Sequence, residues 1–314
     1  MAAFALAPQF ATAQEATIAV MTKNLTNPFF QAVRVGAENF AKTAGVKVVQ
    51  FVPTTPDSIP EQLSQLDDVV VKKPSAVLFI PVDAKAMTPG LAELNHAGIP
   101  VVLMAERVKE GDYVGFVGAA DYDIALATAR YLLKSIGGRG NVLILEGVRG
   151  TQTNNDRIRG FMDALKEFPN VKLLASQPAN YQRLPALQVM ENLIQSYDKI
   201  DGVLAANDAM AIGAIDALDG ANRRAAVVGI NGSKEAVDAI KEGKMLASGD
   251  YNGFLQGCIG MAMAVRHLAK QPLPHEIILK PVVIDSANSA AYELAPEART
   301  CPTWQTIETE LVKN

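Results

Sequence analysis

Hydrophobic and polar positions follow two rhythms along this chain. Short apolar runs, such as those at 17–20, 76–80, 101–103 and 226–230, are bounded by small or polar residues. Between them lie longer stretches in which apolar residues return at helical spacing. The runs read as strands buried on both faces and the stretches as amphipathic helices. Strands are expected at 17–20, 46–51, 76–80, 101–103, 114–116, 142–145, 171–174, 202–204, 226–230 and 245–247, with late strands within 277–284. Helical patterns fill the gaps, for example 29–42, 59–71, 124–135, 184–195 and 209–217. This alternation predicts the α/β class, with doubly wound parallel sheets covered by helices. Two successive βαβαβ-like halves, one up to about Gly118 and one after it, predict two similar lobes. No Gly/Ser-rich linker separates them, so the crossings are expected to be short and ordered.

Composition agrees with this reading. The 314 residues exceed one typical domain, and 49% are hydrophobic, enough for two cores. The net charge of −4 and the lack of a basic stripe argue against nucleic-acid binding. No apolar run approaches the length of a membrane-spanning helix. Residues 1–13 are apolar and small, and Ala11-Thr12-Ala13 has the form of an export cleavage site. They are expected to be a signal-peptide remnant lacking its positive start, and are set apart from the fold. Cys258 and Cys301 have no Cys or His nearby at metal-ligand spacing, so no metal is expected. An oxidising compartment would permit them to pair, but sequence does not place them within bonding distance.

Ligands of open α/β sheets bind beyond the carboxyl ends of the strands. The polar and aromatic residues there are Lys23, Asn27, Phe29 and Phe30 after the first strand, Asp83 after the third, and Glu106 and Arg107 after the fourth. Later strands lead to Arg157, Tyr181, Asn207, Asn231, Asp250 and Tyr251. Carboxylates, amides and guanidinium groups suit a polyhydroxylated ligand, and aromatic faces suit the C–H side of a sugar ring. Phe29 or Phe30, together with Tyr181, is expected to sandwich it. Several of these residues have a structural alternative: Asn27 precedes Pro28 as a helix cap should, and Asp83 and Asn207 are also placed to cap. The breadth of the set favours a binding cleft.

Familiar catalytic patterns are missing. The turn after the first strand, Lys23 to Phe30, has no glycine, so it is not a dinucleotide fingerprint. Walker A and G-x-S-x-G patterns do not occur. His96, His267 and His275 lie away from the strand ends, and the paired Asp67-Asp68 lies in a predicted helix. Nucleophilic and metal-assisted mechanisms therefore lack their usual residues, and an enzyme is not expected.

The stretches Asn27-Pro28-Phe29-Phe30, I-P-V-V at 99–102, D-R-x-x-G-F at 156–161, A-N-D-A-M-A-I-G-A at 206–214, V-V-G-I-N-G at 227–232 and G-K-M-L-A at 243–247 occur together. On these the chain resembles the periplasmic sugar-binding proteins of ABC importers, of the ribose-binding type. The resemblance runs from Ala16 to about Ile284. It implies two lobes with three crossings: a first lobe at 14–118 and 252–283, a second at 119–251 and 284–314. It implies ligand contacts at Asn27, Phe29, Phe30, Arg157, Tyr181, Asn207 and Asn231. It also implies a monomer in the periplasm, no cofactor, and delivery of a monosaccharide or sugar alcohol to an inner-membrane permease. Related repressors carry an N-terminal helix-turn-helix, which is not expected here because the first strand starts near Ala16. The sequence departs from the ribose-type pattern at Ile80, Glu106, Asn231 and Tyr251, so the ligand is not expected to be simply ribose. A receptor for a non-sugar in signalling or chemotaxis, and a sugar-acting α/β enzyme, are the alternative readings.

Overall fold

Helix caps punctuate the chain of this computed structural model, which describes residues 16–311; the expected signal remnant at 1–13 lies outside them. In chain order the elements are β1 (Thr17–Met21), α1 (Pro28–Ala44), β2 (Lys47–Phe51), α2 (Ile59–Lys72), β3 (Ala76–Phe79), α3 (Thr88–His96), β4 (Val101–Met104), β5 (Gly115–Ala119), α4 (Asp121–Ser135), β6 (Arg139–Glu146), α5 (Gln152–Lys166), β7 (Asn170–Pro178), α6 (Arg183–Ser196), β8 (Gly202–Ala205), α7 (Asp208–Gly220), β9 (Ala226–Ile230), α8 (Lys234–Lys241), β10 (Ala247–Gly249), α9 (Gly253–Leu268), β11 (Glu276–Leu279) and β12 (Val283–Ile284). Asn27, Ser58, Thr151, Asn207, Ser233 and Asn252 each accept a backbone N–H of the helix they start. These bonds satisfy donors that no helical carbonyl can reach.

Two six-stranded sheets result. The first runs β2-β1-β3-β4-β5-β11, and every pairing is parallel. The second runs β7-β6-β8-β9-β10-β12, with β12 antiparallel to β10. The order of the first five strands is therefore the same in both sheets. Each sheet reverses direction of winding once, between β1 and β3 in the first and between β6 and β8 in the second. A crevice opens at such a switch point because the flanking loops leave toward opposite faces. The chain passes between sheets after β5, after β10 and after β11.

In the first lobe α1 lies so close to α9 that glycine is required on both. A Cβ on Gly36 would stand 2.0 Å from the Phe254 carbonyl oxygen, and one on Gly257 would stand 2.0 Å from the Val33 carbonyl oxygen. This close pair backs the loop that follows β1.

Three expectations need correction. The strand expected at 245–247 begins two residues later, because 243–245 finish α8: Gly243 takes a left-handed φ of +70°, and the Lys244 and Met245 N–H groups both reach back to the Ala239 carbonyl. The first lobe is expected to extend to residue 283, but Val283 pairs with Gly249 in the second sheet. The tail after 284 is expected to belong wholly to the second lobe, and it touches both. Asp285 accepts from Tyr131 of α4, and Glu293 pairs with Lys241 of α8. Beyond that, Glu297 accepts from Gln31 and the Arg299 carbonyl from Asn39, both on α1. Cys301 is disulfide-bonded to Cys258 of α9.

Candidate functional site

The two switch points face one another, and a cavity lined by residues of both lobes lies between them. On the first-lobe side the loop 22–27 is held rigid by its own polar groups. The Asn24 carboxamide oxygen accepts the Asn27 N–H at 2.9 Å, and its nitrogen donates to Asp57 at 3.1 Å. Arg34 donates to the Thr22 hydroxyl from below. Asn27 then caps α1 through the Phe29 N–H, and Pro28 follows at the first helical turn. Phe29 and Phe30 emerge into the cavity edge to face, 5.3 Å between centroids, and Phe29 meets Tyr251 at 5.2 Å. Lys23 and Glu106 form a buried ion pair at 2.8 Å on the same wall.

The second-lobe side is organised by Arg157 of α5. Its Nε donates to Asp121 at 2.7 Å and its Nη1 to the Ala206 carbonyl at 2.6 Å, while Nη2 makes no hydrogen bond among the described residues. The guanidinium lies over the rings of Tyr251 and Tyr181, at 4.5 and 5.8 Å from their centroids. Tyr181 stacks on Gly147, where any Cβ would fall 2.0 Å from the ring. Its buried hydroxyl has no partner among the described residues. Asn207 caps α7 and donates to the Tyr181 carbonyl, fixing that loop. Asn231 lies across the cleft from Asn27, 3.5 Å between amide nitrogen and oxygen.

The lobes also meet at Tyr251 in the second crossing. Its hydroxyl is 2.9 Å from Asp121 and 3.1 Å from the Ala105 carbonyl, and its single proton can serve one at a time. Burial pushes the Asp121 carboxyl up to about 6, against the pull of Arg157. Burial also raises the Asp57 carboxyl and the Tyr181 and Tyr251 hydroxyls. Ala105, Tyr181 and Asn231 all hold positive φ, at 59°, 61° and 152°. Backbone strain of this kind gathers where a fixed geometry is needed and is carried by the surrounding packing.

Of the residues expected at the site, Lys23, Asn27, Phe29, Phe30, Glu106, Arg157, Tyr181, Asn207, Asn231 and Tyr251 line the cavity. Three do not. Asp83 turns into its own loop and accepts the Lys85 and Ala86 N–H groups, the capping alternative. Arg107 points away from its neighbour Glu106, pairing with Glu276 and stacking on Phe116 at 3.6 Å. Asp250 sits behind the hinge, where burial raises its carboxyl to about 6 beside Asn252, Arg299 and Tyr292. Asn24, Asp57, Thr151 and Thr153 line the cavity without being among the expected residues; Asp121 supports it through Arg157. Extending the end-of-strand rule to β2 and β5 reaches both Asp57 and Asp121.

Two parallel-sheet lobes hinged by three crossings, with a buried polar and aromatic cavity between them, define a bilobal solute receptor. The chain belongs to the periplasmic binding protein domain family, whose model matches residues 18–272. It is 30% identical to the ribose import binding protein of Haemophilus influenzae, over 85% of this chain and 90% of that one. It is 30% identical to a xylitol-binding protein of Mycolicibacterium smegmatis, over 75% and 68%. Among solved structures it resembles an ABC transporter periplasmic solute binding protein from Actinobacillus succinogenes with bound D-allose. That match has a TM-score of 0.85 and 31% identity, covering 88% of this chain and 100% of the other.

Proposed function

We propose that the protein is the solute-binding component of an ABC importer and captures a neutral monosaccharide or sugar alcohol between its lobes. The observation that carries this reading is the charge balance of the cavity. Lys23 is paired with Glu106 and Arg157 with Asp121, and burial disfavours a charge on Asp57. The paired groups still offer hydrogen bonds to hydroxyls, strengthened by their charge, while no net charge invites an ion. Phe29, Phe30 and Tyr251 supply ring surface for the C–H side of the ligand. The relatives named for ribose and xylitol, and the neighbour holding D-allose, support the same class.

In this reading the protein works as a monomer in the periplasm and binds without chemistry. The closed form makes contacts from both lobes at once, so ligand shifts the population toward closure by its differential affinity. The closed surface is what an inner-membrane permease engages. Periplasmic binding proteins are a standard case of hinge closure around a ligand, so the motion follows from membership of the family. A thermal-shift screen against pentoses, hexoses, deoxysugars and polyols tests the proposal. Ligand at a thousandfold excess over Kd stabilises the fold by about 4 kcal/mol, and the ligand is recovered unchanged after denaturation. Absence of any shift from ligand-stripped protein, or recovery of a reaction product, contradicts it.

A further inference from the structure

The chain continues past its third crossing and returns to the first lobe. Residues 285–293 lie on the second lobe. The Tyr131 hydroxyl of α4 donates to Asp285, Tyr292 hydrogen-bonds Asp250, and Glu293 pairs with Lys241 of α8 at 2.7 Å. Residues 297–304 lie on the first lobe. Glu297 accepts from Gln31 at 3.1 Å, the Arg299 carbonyl accepts from Asn39 at 2.6 Å, Cys301 is bonded to Cys258, and Arg266 stacks on Trp304. Leu294, Ala295 and Pro296 bridge these two sets of anchors, and Leu294 is 59% exposed. The gap they bridge is one flank of the cleft. Helix α1 follows directly from Asn27, and α8 begins three residues after Asn231, so the two helix starts face one another as those asparagines do. A pocket between the helices has Gln31 on one side, Lys234 and Asp238 on the other, and Ala295, Pro296 and Glu297 along its third.

Opening the cleft carries Asn27 away from Asn231 and so draws α1 from α8. The chain from Glu293 to Glu297 spans at most about 14 Å when fully extended, and part of it is coiled in the 3₁₀ turn Pro296–Ala298. Its outermost anchors, the Lys241–Glu293 ion pair and the Gln31–Glu297 hydrogen bond, are exposed and contribute little when alone. The disulfide changes their effect. It keeps residues 297–299 beside α1 even when their hydrogen bonds let go, so those bonds re-form as intramolecular events at high effective concentration. We infer that the tail is a strap across this flank of the cleft, a fourth connection between the lobes, and that the Cys258–Cys301 bond enables it to hold the ligand-free protein short of full opening. The strap thereby sets how often the closed form is populated before ligand arrives. Apparent affinity follows that population, so a slack strap weakens binding. The inference needs the hinge motion but no particular solute.

Small-angle X-ray scattering of the ligand-stripped protein tests this in two variants that slacken the strap by different routes. Cys258→Ser with Cys301→Ser removes the covalent anchor; wild type treated with dithiothreitol replaces it if that variant fails to fold. An insert of about eight Gly/Ser residues between Leu294 and Ala295 keeps every anchor and adds flexible length at an exposed position. Both changes are expected to enlarge the radius of gyration relative to wild type, and combining them is expected to add little. Emission from Trp304, the single tryptophan, separates opening from fraying of the tail. It is expected to keep its wild-type value in the insertion variant, where the tail remains fastened to α9. A wild-type radius in the insertion variant overturns the inference, and so does an enlarged radius accompanied by shifted Trp304 emission, which reports a detached tail. An enlarged radius in the insertion variant with none on loss of the disulfide also overturns it, since the bond then has no part in the strap.

Discussion

Arg157 shows how one side chain links stability to recognition. It is 2% exposed, and two of its three nitrogens are committed to Asp121 and the Ala206 carbonyl. Arg157→Ala is expected to weaken ligand binding by about 2–4 kcal/mol, because a charged donor is lost from a dry cleft. Removal of the guanidinium also strips Asp121 of its counter-charge, so the titration belongs in mildly acidic buffer where that carboxyl is neutral. Wild-type affinity in the folded variant contradicts the assignment. A pH dependence follows from the same burial. Asp121 and Asp250 both titrate at about 6 in the folded chain, above the ordinary 3.8. Between those values the folded state holds protons that the unfolded chain releases. Their contribution to stability is therefore absent above about pH 6, grows as pH falls through it, and is complete below about 3.8. Asp250→Asn is expected to flatten urea-unfolding stability across that window, and an unchanged slope contradicts the burial argument. At this scale the site was largely legible, because end-of-strand position selects cavity residues. The errors at Asp83 and Arg107 came from side-chain direction: one folded back as a cap, the other alternated outward beside Glu106.

Elements with strong apolar runs, such as β1, β3 and β9, were readable to within a residue or two. The edge strand β7 was not. It extends to Pro178, well past its apolar start, carrying Ser176 and Gln177, and it shifts register against β6 between Val142 and Leu143. An edge strand needs no continuous apolar run, so its end is unmarked in sequence. The tail was the least legible element, because its anchors are single distant contacts. The Cys258–Cys301 disulfide, 43 residues apart in sequence, fastens it to α9, and Arg266 stacks over Trp304 at 4.4 Å. Closing a loop of that length restrains the unfolded chain by about 4 kcal/mol in the chain-entropy account. Cys301→Ser is expected to lower the unfolding free energy by an amount of that order, and with it the denaturation midpoint, and reducing agent is expected to do the same to the wild type. A midpoint insensitive to both contradicts a structural role for the bond.

At the level of the whole molecule, two sheets with one strand order set two switch points face to face, and three crossings let them move. The repeated strand-helix rhythm made this architecture legible. The position of the last crossing was not, since β11 and β12 are separated by only a few residues yet belong to different sheets. The cavity draws its walls from both lobes, so a ligand that fills it must favour the closed arrangement over an open one. Small-angle X-ray scattering of ligand-stripped protein, titrated with the sugar or polyol that gives the largest thermal shift, tests this most directly. The radius of gyration is expected to contract and to saturate at the same ligand concentration as binding measured by calorimetry. Saturated binding with no change in the scattering curve would contradict closure around a ligand held between the lobes.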